Sequence, residues 1–193
     1  MLNKRLEKYR IILASNSPRR KQLLSELGLH FEVITGDVDE VFPDSMPVSE
    51  VAEYLARIKA EPFQHSLDKN MLVITADTIV SVDDQVLGKP ANHAEATAML
   101  SLLSGRAHLV STGVHLLSQH RTAAFTSTTT VWFKTLEKEE IEYYVSNFQP
   151  FDKAGAYGIQ EWIGHIGVQR IEGSYFNVMG LPVQQLYEAL MKF

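Results

Sequence analysis

Residues 9–28 read YRIILASNSPRRKQLLSELG, and the fold class turns on them. Tyr9–Ala14 is apolar and β-branched, the composition of a buried strand. Ser17 suits an N-cap and Pro18 the first helical position. Arg19–Leu27 then carries Leu23, Leu24 and Leu27 at helical spacing, and Gly28 ends the helix. A strand running through a short polar turn into a helix is the opening unit of an α/β fold. The two arginines are out of place in it. A helix N-terminus already bears about half a positive charge, so Arg19 and Arg20 cost a few tenths of a kcal/mol there, roughly, unless an anion is present. Either both side chains point into water or a polyanion sits at this helix start.

Outward from that unit the chain alternates elements. Phe31–Thr35 reads as a strand, followed by the acidic loop Gly36–Asp44. Val48–Phe63 reads as a helix capped by Ser49, with Val51, Leu55 and Ile58 on one face. Met71–Val82 is strongly strand-forming and turns at Asp83–Asp84 into Gln85–Leu87. Asn92 and Glu95 start a helix over Ala94–Leu103 that Gly105 closes. Ala107–Leu117 and Thr122–Thr135 are strands, the second with one wet face. A helix over Glu137–Ser146, short strands around Tyr157–Gln160 and Ile166–Ile171, and a helix over Pro182–Met191 complete the order. No repeat or flexible linker interrupts it, so the pattern predicts one domain, 1–193, around a mixed sheet, with room for two lobes.

Composition narrows the function. The 193 residues are 45% hydrophobic and carry a net charge of −5, so no global field attracts nucleic acid or anionic membranes. Any anion site is therefore a local cluster. With no cysteine, a thiol nucleophile and a thiolate metal site are excluded. No apolar run approaches the ~20 residues of a membrane span, and the charged MLNKRLEKYR lacks the apolar core of a secretory leader, which points to the cytoplasm. The seven histidines show no zinc spacing, and no G-x-S-x-G elbow is present.

Four stretches look chemical. In TADTIV (75–80), Asp77 falls inside an apolar run, where a carboxylate is expensive unless paired, metal-bound or at a site; Thr78 adds a hydroxyl. In LGKP (87–90), Gly88 allows close backbone approach and Lys89 supplies a point charge for phosphate. In QPFDKAGAYGIQ (149–160), small residues surround Tyr157 and end at Gln160, whose amide is suited to reading a flat ligand's edge. Asp37, Asp39 and Glu40 form an acidic cluster able to hold a divalent ion. Taken singly, each also has a bland reading: a turn aspartate, an ordinary loop, a glycine turn, a solvated acidic face. Lys59, near a helix end, is explained by the helix dipole alone.

Their order is more telling than any one of them. With SNSPRR (15–20), DVDE (37–40), LARIKA (55–60), ADTIV (76–80), LGKP (87–90), STGV (111–114), DKAGAYGIQ (152–160) and GSYFNVMGLP (173–182), the sequence resembles the Maf family of nucleoside triphosphate pyrophosphatases from about Arg10 to Leu190. AGAYGIQ looks like the branch acting on dTTP and UTP. The resemblance implies an elongated, two-lobed inosine-triphosphatase-like α/β fold with a central cleft. It implies hydrolysis of the α–β phosphoanhydride to a nucleoside monophosphate and pyrophosphate, with Mg²⁺ or Mn²⁺. By the same resemblance Asp77 is the catalytic base, with Asp39 and Asp77 at the metal. Arg20, Lys59 and Lys89 grip phosphate, Ser17 adds a phosphate contact, and Arg19, Thr78 and Gln160 discriminate substrates. A pocket of Ala156, Tyr157 and Gln160 would exclude purines, and a homodimer is implied. Two other classes remain: a non-catalytic regulator of septum formation, which the family association suggests, and a nucleic-acid-binding module, which the acidic balance opposes. A pyrophosphatase for modified purine triphosphates is the rival within enzymes.

Overall fold

A computed structural model describes every residue of 1–193 except Asp37. Its elements are α1 (Leu2–Leu6), β1 (Arg10–Leu13), α2 (Pro18–Glu26), β2 (Glu32–Val33), α3 (Val48–Ile58), β3 (Met71–Val82), β4 (Gln85–Leu87), α4 (His93–Leu103), β5 (Ala107–Ser118), β6 (Thr122–Phe133), α5 (Lys138–Phe148), α6 (Trp162–Gly167), β7 (Val168–Glu172), α7 (Tyr175–Met179) and α8 (Val183–Leu190). Six strands follow the order β2-β1-β3-β5-β6-β7, and β4 pairs with β3. The sheet is mixed: β1 runs parallel to β2 and β3, whereas β3–β4 and β6–β7 are antiparallel. The parallel part explains the unbroken apolar runs, because Ile11–Leu13 and nearly all of β3 are buried on both faces. Asp83 and Asp84, at φ 47° and 60°, make the tight turn from β3 to β4.

The described residues form two compact units. The first holds residues 1–77, 112–127 and 180–193; the second holds 78–111 and 128–179. Strands β3, β5 and β6 each contribute one end to either unit. Part of the first core joins Ile12, Ala14, Met71, Val73 and Leu117 with Ala60 and Phe63. Here α3 buries Val51, Ala52, Leu55, Ala56 and Ile58, and Gly113 of β5 lets its backbone come close. A Cβ at position 113 would lie 2.2 Å from the Ala52 carbonyl oxygen, so the STGV glycine is a packing requirement. The second core includes Leu100, Leu103, Phe133, Tyr144 and Ile163, with α4 packed on α5.

The expected elements depart from the structure at four places. The charged N-terminus is helical, because Leu2 and Leu6, one turn apart, are both buried. The helix expected over 48–63 stops at Ile58, with Pro62 in the 3₁₀ turn Glu61–Phe63; Pro47, not Ser49, is its N-cap. No strand covers 157–160: Gly155 (φ 67°) and Ala156 (φ 58°) form a left-handed turn there. Finally, α6 and α7 are helices too short to carry a periodic signal.

Candidate functional site

In the first unit the opening helix start is built as its sequence asks. Ser17 Oγ accepts the Arg20 amide N–H at 3.4 Å, and Ser15 Oγ accepts the Ser17 amide at 3.2 Å. The Arg20 side chain does not trail into water. Its Nε donates to the Gly180 carbonyl at 2.8 Å and its Nη1 reaches Ser15 Oγ at 3.5 Å. Burial pushes the Arg20 guanidinium below its ordinary pKa, Asp77 opposes this, neighbouring Arg19 adds to it, and Glu40 opposes it again. Arg19 is half-buried. Two cations crowd a helix N-terminus, which is where an anion is most strongly favoured.

Asp77 closes the first unit's stretch of β3 and is 7% exposed. Lys59, the C-cap of α3, pairs with Asp77 Oδ1 and lies 2.9 Å from Glu40 Oε1. One ammonium thus joins two carboxylates, one buried and one half-open. The pairing is aligned from behind: Thr75 Oγ1, two residues before Asp77, donates to the Ala56 carbonyl at 2.6 Å and so ties β3 to the last turn of α3. Glu40 is therefore the acidic-loop residue that meets Lys59, while Asp39 is exposed and Asp37 lies outside the described residues. No three His, Asp or Glu side chains converge as metal ligands among the described residues. Asp77 and Glu40 nevertheless offer hard oxygen donors around one cation. That fits Mg²⁺ or Mn²⁺, which use one or two carboxylates and complete their shells with phosphate and water.

In the second unit Thr78 follows on β3, half-buried, and Lys89 is exposed in the loop after β4. A Cβ at Gly88 would meet nothing within 4 Å, so packing does not demand this glycine. Its carbonyl accepts the Gly155 amide at 3.0 Å, which anchors the 154–160 turn. Tyr157 turns inward: its hydroxyl lies 2.7 Å from His108 Nε2, and its ring packs edge-on to Phe133 and His108. Burial raises the Tyr157 phenol and lowers His108 to about 4, so both are neutral near pH 7. Ala156 and Tyr157 are thus core residues, and the expected pocket of Ala156, Tyr157 and Gln160 is not formed by the first two. Gln160 remains, with Oε1 enclosed and lacking a hydrogen-bond partner among the described residues. An enclosed amide oxygen without a donor costs about 1–3 kcal/mol.

The sequence reading assigned nothing to Lys153, Glu161 or Tyr144. Lys153 is 8% exposed and pairs with Asp152 at 2.6 Å and Glu161 at 3.0 Å. The other Glu161 oxygen accepts the hydroxyl of fully buried Tyr144, which itself accepts the Gly158 amide at 3.1 Å. The signal was a lysine among small residues in DKAGAYGIQ, where a solvated side chain has little room.

A family model described as Maf-like protein matches residues 10–193. The dTTP/UTP pyrophosphatase of Parabacteroides distasonis is 52% identical over 189 residues, 97% of this chain and 98% of that protein. The protein of the same name from Bacteroides thetaiotaomicron is also 52% identical, over 188 residues and 97% of each chain. Among solved structures, the Staphylococcus aureus Ham1 protein is similar in fold alone, with a TM-score of 0.50 at 18% identity over 95% of this chain and 98% of that one.

Proposed function

The chain belongs to the Maf family, and we propose that it is a nucleoside triphosphate pyrophosphatase that hydrolyses dTTP and UTP to the monophosphate and pyrophosphate. The observation that carries this reading is Lys59 joining Asp77 and Glu40 in the unit that also presents Arg19 and Arg20 at a helix start. Asp77 accepts a proton from water as the water oxygen bonds to the α-phosphorus and the bond from that phosphorus to the bridging oxygen breaks. General-base assistance of this kind supplies about 10²–10⁴ in rate. Negative charge moves onto the departing pyrophosphate, and Arg20, Lys59 and Lys89 stabilise it, with Ser17 as a further phosphate contact. Arg19, Thr78 and Gln160 discriminate among substrates.

A divalent ion, Mg²⁺ or Mn²⁺, would be held by Asp77 with Glu40 or Asp39 and would supply charge neutralisation at the phosphates. Both compact units belong to one functional domain, a reading the family match across 10–193 supports. Among the described residues, no helix is long and apolar enough to cross a membrane. We propose a cytoplasmic homodimer that does not bind nucleic acid, to be checked by light scattering with and without duplex DNA. The activity is tested by pyrophosphate release from dTTP, UTP, CTP, ITP and 7-methyl-GTP with Mg²⁺ or Mn²⁺. Turnover of dTTP and UTP that collapses in Asp77→Asn is the expected result. Selective turnover of ITP or 7-methyl-GTP, or none at all, overturns it.

A further inference from the structure

Lys59 is the residue on which α3 ends, so whatever fixes that ending fixes the place from which it meets Asp77. In an uninterrupted helix the Ala60 amide would close a turn onto the Ala56 carbonyl. It donates instead to the Arg57 carbonyl at 2.9 Å, while the Lys59 amide closes onto Leu55 at 3.2 Å. Tightening of this kind leaves a last-turn carbonyl in need of another donor. Ala56 is fully buried, so water is no substitute. The donor comes from the sheet: Thr75 Oγ1, also fully buried, lies 2.6 Å from the Ala56 oxygen. The His115 carbonyl stands farther off, at 3.4 Å, so the single hydroxyl proton goes to Ala56.

The spacing turns this cap into an alignment. Thr75 and Asp77 are two apart on β3 and therefore present their side chains to the same face. Ala56 and Lys59 are three apart at the end of α3 and therefore lie on one side of it. Strand and helix are thus joined twice, Thr75 to Ala56 and Asp77 to Lys59, in the same order along both segments. All four residues belong to the first unit. The first joint is buried and anchored on backbone. The second depends on a lysine whose long stem samples many rotamers unless its base is fixed.

We propose that Thr75 is a positioning residue: by capping α3 at Ala56 it sets the place from which Lys59 meets Asp77 and the substrate phosphates. The inference rests on the reading of Asp77 as base and Lys59 as phosphate grip. Its test is kcat/KM for UTP in the wild type, Thr75→Val, Thr75→Ser, Lys59→Met and the double variant Thr75→Val with Lys59→Met, with thermal unfolding of each. Valine keeps the shape and removes the hydroxyl. Its kcat/KM should fall at least about tenfold, because displacing a reacting group by about 1 Å can cost about 10²-fold. Serine keeps the hydroxyl and should restore most of that loss. If Thr75 acts through Lys59, the valine loss shrinks to less than about twofold once Lys59 is gone. A merely structural role repeats the same loss in both backgrounds. The proposal is overturned by a folded valine variant within about twofold of wild type, by a serine variant as slow as valine, or by losses that multiply in the double variant. Should the valine variant not fold, Thr75→Ala carries the same comparisons. A wild type that hydrolyses no UTP overturns the reading of the site, and the positioning role with it; an active wild type with any of these results loses the positioning role alone.

Discussion

Two lysines in this chain stand in the same immediate company and differ in everything around it. Lys59 joins Asp77 and Glu40 in the first unit; Lys153 joins Asp152 and Glu161 in the second. Side-chain exposure is 16% for Lys59 and 9% for Lys153, so burial barely separates them. The surroundings do. Near Asp77 lies Arg20, itself crowded by Arg19, so positive charge accumulates beside the pair. Around Glu161 lie a tyrosine hydroxyl and a backbone amide, so the charge is absorbed into a closed hydrogen-bond network. An ion pair flanked by surplus cations is poised for an anionic ligand, whereas one enclosed by neutral donors is scaffold. The pair by itself distinguishes neither.

The largest effect that could break this contrast is at Asp77. Asp77→Asn should lower kcat for UTP about 10³-fold with the fold intact, as read by pyrophosphate release and circular dichroism. Next come the lysines. Lys153→Met strands Glu161 and should cost about 3–5 kcal/mol in urea unfolding. Lys59→Met should cost less stability, since Arg20 remains near the Asp77 it strands, but far more activity; the reverse pattern would erase the distinction.

A third test uses pH. His108 stays neutral in the folded second unit down to about pH 4, whereas in the unfolded chain it takes up a proton near its ordinary 6.5. The unfolded state therefore binds more protons between those values, and stability falls as pH drops through that window, by on the order of 3 kcal/mol. His108→Gln should flatten the slope of unfolding free energy between pH 6.5 and 4.

The smallest effects compare glycines. Gly113→Ala forces α3 from β5 and should destabilise by about 1–3 kcal/mol. Gly88→Ala, with open space at its Cβ, should change stability by no more than about 0.5 kcal/mol. A drop in UTP turnover in that folded variant would show that Gly88 serves the ligand.

Where the sequence was readable, the signal was local. Ser17 and Asn92 are caps whose oxygens accept the Arg20 and Glu95 amides, and the Asp83–Asp84 turn and the full extent of β3 follow from residue type alone. Asp77 stood out because a carboxylate inside a buried strand has few inexpensive explanations. Tyr157 misled for the converse reason: an aromatic among glycines suits a ligand platform as well as a core, and only His108 and Phe133, brought in from β5 and β6, decide for the core. The resemblance puts Asp39 at the metal, whereas the acid that pairs with Lys59 is Glu40, a contact that no local signal in a loop of neighbouring acids announces.

By itself, then, the sequence determined the α/β order, the caps and turns, the helix start crowded with arginines and the ordered motifs that mark the Maf family, all consequences of neighbours along the chain. Only the tertiary structure decided that Lys59 meets Asp77 and Glu40, that Tyr157 faces inward, and that Lys153, Glu161 and Tyr144 join in one network. Those choices depend on which residues remote in sequence share the low-dielectric interior, where an unpaired charge or amide is too costly to leave alone.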